Sequence, residues 1–159
     1  KIGEVETNDF KATTFVSIRR EMNMDEFEKD GHSIFKKAAE EIYGFIGKNK
    51  LEVKGTMSAL YYKWDTEGRR VDLAVSVPVD KEAKPEGTIS IIKISDSKCA
   101  TLDVMGDYSG LGKAHEKLEK WLTENKKESK IPVIEEYVTD PSTQKDPMMV
   151  LTRIWYPLK

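Results

Sequence analysis

Glu135 and Tyr137 stand two residues apart in a run of strand-forming character, so in an extended strand their side chains project from one face and Glu136 from the other. A carboxylate beside aromatic walls in a partly dry cleft attracts a ligand cation, and ring faces add to that attraction. Aromatic residues gather in the same stretches: Tyr61, Tyr62 and Trp64 in the first half, and Tyr137, Trp155 and Tyr156 in the second. Other chemistry is sparse. The two histidines, His32 and His115, read as a residue near a helix start and a residue between the apolar positions of a charged helix. Cys99 is the single cysteine, best read as a buried, inert thiol. No Cys/His set has zinc spacing, and the glycines around Tyr108 match neither the Walker nor the dinucleotide fingerprint. Neither a metal nor a cofactor is expected.

Composition narrows the setting in which such a site would work. The 159 residues, 38% of them hydrophobic, allow one ordinary domain or two very small ones. A chain of this length buries roughly 70% of its unfolded surface and needs no disulfide or metal to hold a core. Lys and Arg number 26 against 28 Asp and Glu, a net charge of -2 that argues against direct nucleic-acid binding. No run approaches the roughly 18 apolar residues of a membrane span. The lone cysteine fits a reducing, cytoplasmic compartment.

Two helices are predicted to position these residues. Ile34, Phe35, Ala38, Ile42, Phe45 and Ile46 recur at helical spacing over 33–49, with Ser33 as the cap. Leu111, Ala114, Leu118, Trp121 and Leu122 do the same over 109–125, with Ser109 as the cap. At an offset of 76 the two stripes superimpose, and the same offset lays Phe15–Arg19 over Ile91–Ser95, each read as the strand before its helix. At an offset of 75, Tyr62 meets Tyr137 and Leu60 meets Glu135. Each tyrosine precedes a turn and a further strand, 71–79 or 148–158. The pattern is an internal duplication of strand, helix, strand, strand. Repeat one covers about 10–80, a connector about 80–87, and repeat two about 88–159. Neither half is large enough to bury a core separately, so an α+β fold is predicted in which the repeats share an antiparallel sheet, with helices on one side, or pack side by side around a pseudo-twofold axis. Repeat symmetry nominates Tyr62, Tyr137 and Trp155 as walls, Leu60 as the counterpart of Glu135, and Tyr108 as a rim residue. The acidic stretch Glu21, Asp25, Glu26 and Glu28 reads as a solvated turn.

The ordered set Gly106-Asp-Tyr-Ser-Gly-Leu, Trp121-Leu122, Glu135-Glu-Tyr-Val-Thr-Asp-Pro141 and Thr152-Arg-Ile-Trp-Tyr-Pro-Leu158 resembles the GyrI-like (gyrase-inhibitor-like) domain. In the first half, Tyr62, Asp72-Leu-Ala-Val-Ser-Val-Pro-Val79 and Gly87-Thr-Ile-Ser extend the resemblance over almost the whole chain. This is the effector-binding domain of bacterial transcription activators. The resemblance implies a pocket for a small apolar or cationic molecule between two repeats, with the carboxylate of Glu135 inside it. It also implies that any DNA-binding or other additional domain would precede Lys1. Two alternatives accompany this reading. Some members hydrolyse reactive electrophiles, and here Glu135 would be the general base while Tyr137 or Tyr62 steadies an oxyanion. The family's name implies a third role, inhibition or sequestration of a protein.

Overall fold

The computed structural model describes residues 1–159. Its elements run β1 (Glu6–Phe10), β2 (Thr13–Asn23), α1 (Met24–Lys48), β3 (Ser58–Asp65), β4 (Arg70–Val79), β5 (Ser90–Ile94), β6 (Ser97–Met105), α2 (Leu111–Glu124), β7 (Val133–Glu136) and β8 (Leu151–Pro157). Helices and antiparallel strands alternate as strand, helix, strand, strand, twice over, which is the predicted α+β class.

The chain divides into two compact units, one of residues 12–94 and one of residues 1–11 with 95–159. In the first, β4 pairs with β3 on one side and β2 on the other, and β2 pairs onward with β5. The segments that the offset of 76 equated are bonded to each other here, with Phe15 opposite Ile92 and Val16 opposite Ile91. The strand that leads into α2 is instead β6, so β6 is the counterpart of β2. Both segments are short runs rich in β-branched residues, and such composition cannot tell equivalents from partners. In the second unit β8 pairs with β6 and β7, and β1 completes the sheet on the outer side of β6. Each unit therefore gains an edge strand from the segment that precedes the other repeat.

Helix α1 is 25 residues long and begins nine residues before Ser33, which lies inside it. Its cap is Asn23, whose side chain accepts from the Asp25 N–H at 2.7 Å. The stretch read as an acidic turn is largely the first turn of this helix, where Asp25 and Glu26 complement the positive end of the helix dipole. Arg69 bonds Asp25 and Glu28 there. Ala38, Ile42, Phe45 and Ile46 form its buried stripe, as the periodicity required. Ahead of α2 the cap is also displaced. Asp107 accepts from the Ser109 N–H, and Tyr108–Gly110 form a single 3-10 turn before Leu111. Ala114, Leu118 and Leu122 then pack on Ala100, Leu102 and Val104 of β6 and Ile154 and Tyr156 of β8, fixing which face of that sheet looks at α2.

Candidate functional site

Strand pairing decides where the candidate residues point. Glu135 lies opposite Ile154, and Ile154 belongs to the cluster under α2, so Glu135 faces that helix. It is only 6% exposed. A carboxylate so placed needs partners for its oxygens, and both are met. The Tyr137 hydroxyl donates to Oε1 at 2.7 Å, and Nε2 of His115 lies 2.6 Å from Oε2. The far nitrogen of His115, Nδ1, lies 2.7 Å from the Tyr156 hydroxyl. Four side chains thus form one chain of hydrogen bonds, Tyr137–Glu135–His115–Tyr156, between β7, α2 and β8.

The surroundings are aromatic, with Tyr156 buried and Tyr108 exposed. The ring of Tyr108 meets that of Tyr137 at 5.5 Å between centroids. Burial first, then the negative charges of Asp140 and Glu135, raise the Tyr108 hydroxyl above the ordinary phenol range. The Tyr156 hydroxyl is raised much further, mainly by burial and then by Glu119 and Glu135, so it stays a neutral phenol that can donate or accept. Beyond Tyr108 opens a cavity of about 350 Å³, lined also by Asp107, Pro141, Gln144, Lys145, Pro147 and Val150. Asp107 and Asp140 each cap a tight turn at this mouth. Hydrogen bonds from the side chain and backbone of Ser109 and of Ser142, respectively, hold their carboxyls below the usual range.

One further polar group faces the same way. Thr152 is two residues before Ile154 on β8, hence on the α2 side, and only 1% exposed. Its hydroxyl is the one buried side-chain polar atom that lacks a hydrogen-bond partner in the protein. Leaving such a group unsatisfied costs about 1–3 kcal/mol.

Of the residues nominated from sequence, Glu135, Tyr137 and Tyr108 come together. Trp155 does not join them. It projects from the other face of its sheet, where its indole N–H donates to Glu136 at 3.0 Å and its ring stands edge-on to Phe10 at 5.2 Å. Leu60 is fully buried and opposite Ala74, on the face away from α1, because its neighbour Tyr61 packs against Phe27 of that helix. Glu135 faces its helix and Leu60 faces away from its own, so the offset of 75 is out of step by one residue at this strand. A one-residue slip exchanges the two faces of a strand. Tyr62 occupies a bulge in β3, between Tyr61 and Lys63. The face of its ring is already covered by the Arg19 guanidinium, 3.6 Å from the centroid, and Arg19 is held by two bonds to Asp72.

His115 and Tyr156 are the two members of the network that the motif reading passed over. A signal existed for His115. Leu111, His115, Leu118 and Leu122 are spaced by four, three and four, so a polar residue sits in an apolar stripe. Such a residue needs a buried partner. His32, by contrast, is exposed on α1. Cys99 is buried, and loss of solvent around it pushes its thiol up to about 11, in keeping with an inert role. No cluster of three or more His, Cys, Asp or Glu side chains could hold a metal ion, and no helix is long and apolar enough to cross a membrane.

The fold is shared with known structures. The chain aligns with EcmrR in its DNA complex at a TM-score of 0.85 and 19% identity, covering 98% of this chain and 57% of that one. It therefore spans a little over half the length of that relative. The EcmrR C-terminal domain matches at a TM-score of 0.78 and 18% identity, over 99% of this chain and 98% of the other. SAV2435 bound to tetraphenylphosphonium matches at 0.70 and 16%, over 98% and 94%. At these identities the likeness is one of fold. No curated protein matches the chain. The family model for the GyrI-like small molecule binding domain, however, matches residues 3–159, in line with the repeated fold and the motif that carries the buried carboxylate. The chain is a member of that family.

Proposed function

We propose that this domain captures a small organic cation with an apolar body, and that Glu135 is the anchor for its charge. The observation that carries the reading is a carboxylate 6% exposed, with both oxygens held and tyrosine rings beside it. A fixed, desolvated negative charge attracts a cation more strongly than a surface carboxylate, and ring faces favour the same sign. The likeness to SAV2435, whose structure holds tetraphenylphosphonium, supports a lipophilic cation as the ligand class. Tyr137 and Tyr108 contribute the aromatic wall.

The test is isothermal titration of tetraphenylphosphonium into the wild type and Glu135→Gln. The amide keeps the shape and accepts from Tyr137 but removes the charge. Affinity is expected to fall by tenfold or more, since removing one partner of a buried charge interaction costs about 2–5 kcal/mol. Equal affinities in the two proteins would sink the anchor role.

One observation favours hydrolysis of an electrophile as a second reading. His115 lies 2.6 Å from Glu135, which would let the carboxylate take a proton from water while the imidazole steadies it. Multiple-turnover product formation by the wild type, lost in Glu135→Gln, would be required of it.

A further inference from the structure

We infer that His115 is the resident counter-charge of Glu135, and that a cationic ligand binds by displacing the proton this imidazole carries. The inference rests on the anchor reading above and adds to it the currency in which binding is exchanged.

Both ring nitrogens of His115 are engaged, Nε2 with Glu135 Oε2 at 2.6 Å and Nδ1 with the Tyr156 hydroxyl at 2.7 Å. A phenol can donate or accept, so the network closes in two protonation states. As imidazolium, His115 donates from both nitrogens and Tyr156 accepts. As neutral imidazole, it donates from Nε2 to the carboxylate, and the Tyr156 hydroxyl turns to donate to Nδ1. The two states interconvert by the loss of one proton and the rotation of one hydroxyl, with no side chain displaced.

The groups around the ring make the choice depend on the ligand. Glu135 faces it from β7 and Tyr156 from β8, while Tyr137 is bound to the same carboxylate. Glu119 lies one turn along α2 and acts on Tyr156, while the charges of Asp140 and Glu135 both act on Tyr108. Ala100, Leu102 and Val104 of β6, packed against α2, carry no ionisable group. No lysine or arginine bonds either oxygen of Glu135, and the imidazole is its only bonded partner able to carry positive charge. When His115 is protonated, the charge of Glu135 is already answered. A second cation arriving beside it meets a like charge, and the proton leaves to solvent. A permanent cation such as a phosphonium or quaternary ammonium therefore binds with release of a proton. Its affinity rises with pH as long as the imidazole still carries a proton to give up, and then levels off. A protonatable amine would follow the same rise but lose affinity again at high pH, where it sheds its own charge.

The experiment is calorimetric titration of tetraphenylphosphonium in buffers of differing ionisation enthalpy, from about pH 5.5 to 8.5. The wild type is expected to release a proton on binding at the acid end and none at the alkaline end, with affinity climbing by at most tenfold per pH unit between. His115→Gln retains a donor toward Glu135 but no titrating proton. It should bind without proton release and with an affinity that no longer changes with pH. A parallel NMR titration of the wild-type His115 ring, with exposed His32 as internal control, should show its midpoint move to lower pH when the ligand is bound. Binding without proton release at any pH, release that persists in His115→Gln, or an unmoved His115 midpoint would each overturn the inference. If Glu135→Gln abolishes binding while the wild type releases no proton, only the role of His115 fails. If Glu135→Gln binds normally, or the wild type does not bind the cation at all, the anchor reading fails with it.

Discussion

At the residue scale, the site is defined by which polar atoms are answered and which is not. Glu135 has a donor for each oxygen, His115 has a partner on each nitrogen, and Thr152 has none for its hydroxyl. An unsatisfied buried hydroxyl is a liability to the empty protein and an opportunity for a bound one. Replacing Thr152 by Val removes the group while keeping nearly the same shape. We expect the ligand-free protein to gain about 1 kcal/mol in stability by urea unfolding, within the usual cost of an unmet hydrogen-bonding group. The same variant should bind tetraphenylphosphonium as well as the wild type does, because that cation has no hydrogen-bonding atom. Marked destabilisation would show instead that the hydroxyl is satisfied in the native state. The carboxylate was legible in the sequence because Glu135 and Tyr137 share a motif and a strand face. Its other partner was not, because His115 is distant in the chain and only the pairing of β7 with β8 beneath α2 brings it near.

At the element scale, both helices are where the 3.6-residue period put them, and both begin elsewhere than expected. Periodicity reports the buried stripe, but the start of a helix is set by its cap and first turn. Helix α1 runs through Gly31, although glycine costs a helix interior about 1 kcal/mol relative to alanine. The extra turns survive because Asn23 caps them, Arg69 bonds Asp25 and Glu28, and Phe27 packs edge-on to Tyr61 and Trp64. Asn23→Ala should therefore cost about 0.5–2 kcal/mol in equilibrium denaturation, the usual worth of an N-cap. No change would mean that the ion pairs and rings hold the first turn without it. Strand registers were the least legible feature. The offset between repeats fails at β3 by one residue and mistakes β5 for the counterpart of β2, because alternation fixes a face only once the partner strand is known.

At the scale of the whole molecule, two units built on one plan carry different chemistry. In one, a tyrosine donates to a buried carboxylate that no lysine or arginine neutralises. In the other, Tyr62 has an arginine over its ring, itself tied to Asp72. Arg19 lies opposite Ala74, on the sheet face away from α1, whereas Glu135 faces α2. Duplication supplied the frame, and the side chains on it have diverged. The near balance of 26 basic and 28 acidic residues is then incidental to binding, because most of the ion pairs are exposed and each is worth little. The proposed binding depends instead on the one carboxylate that is buried, Glu135. A crystal structure of the protein soaked with tetraphenylphosphonium tests this most directly. The account predicts the phosphonium beside Glu135, with phenyl groups against Tyr137 and Tyr108. A cation seated elsewhere, with the Tyr137–Glu135–His115 bonds undisturbed and no charge near the carboxylate, would contradict it.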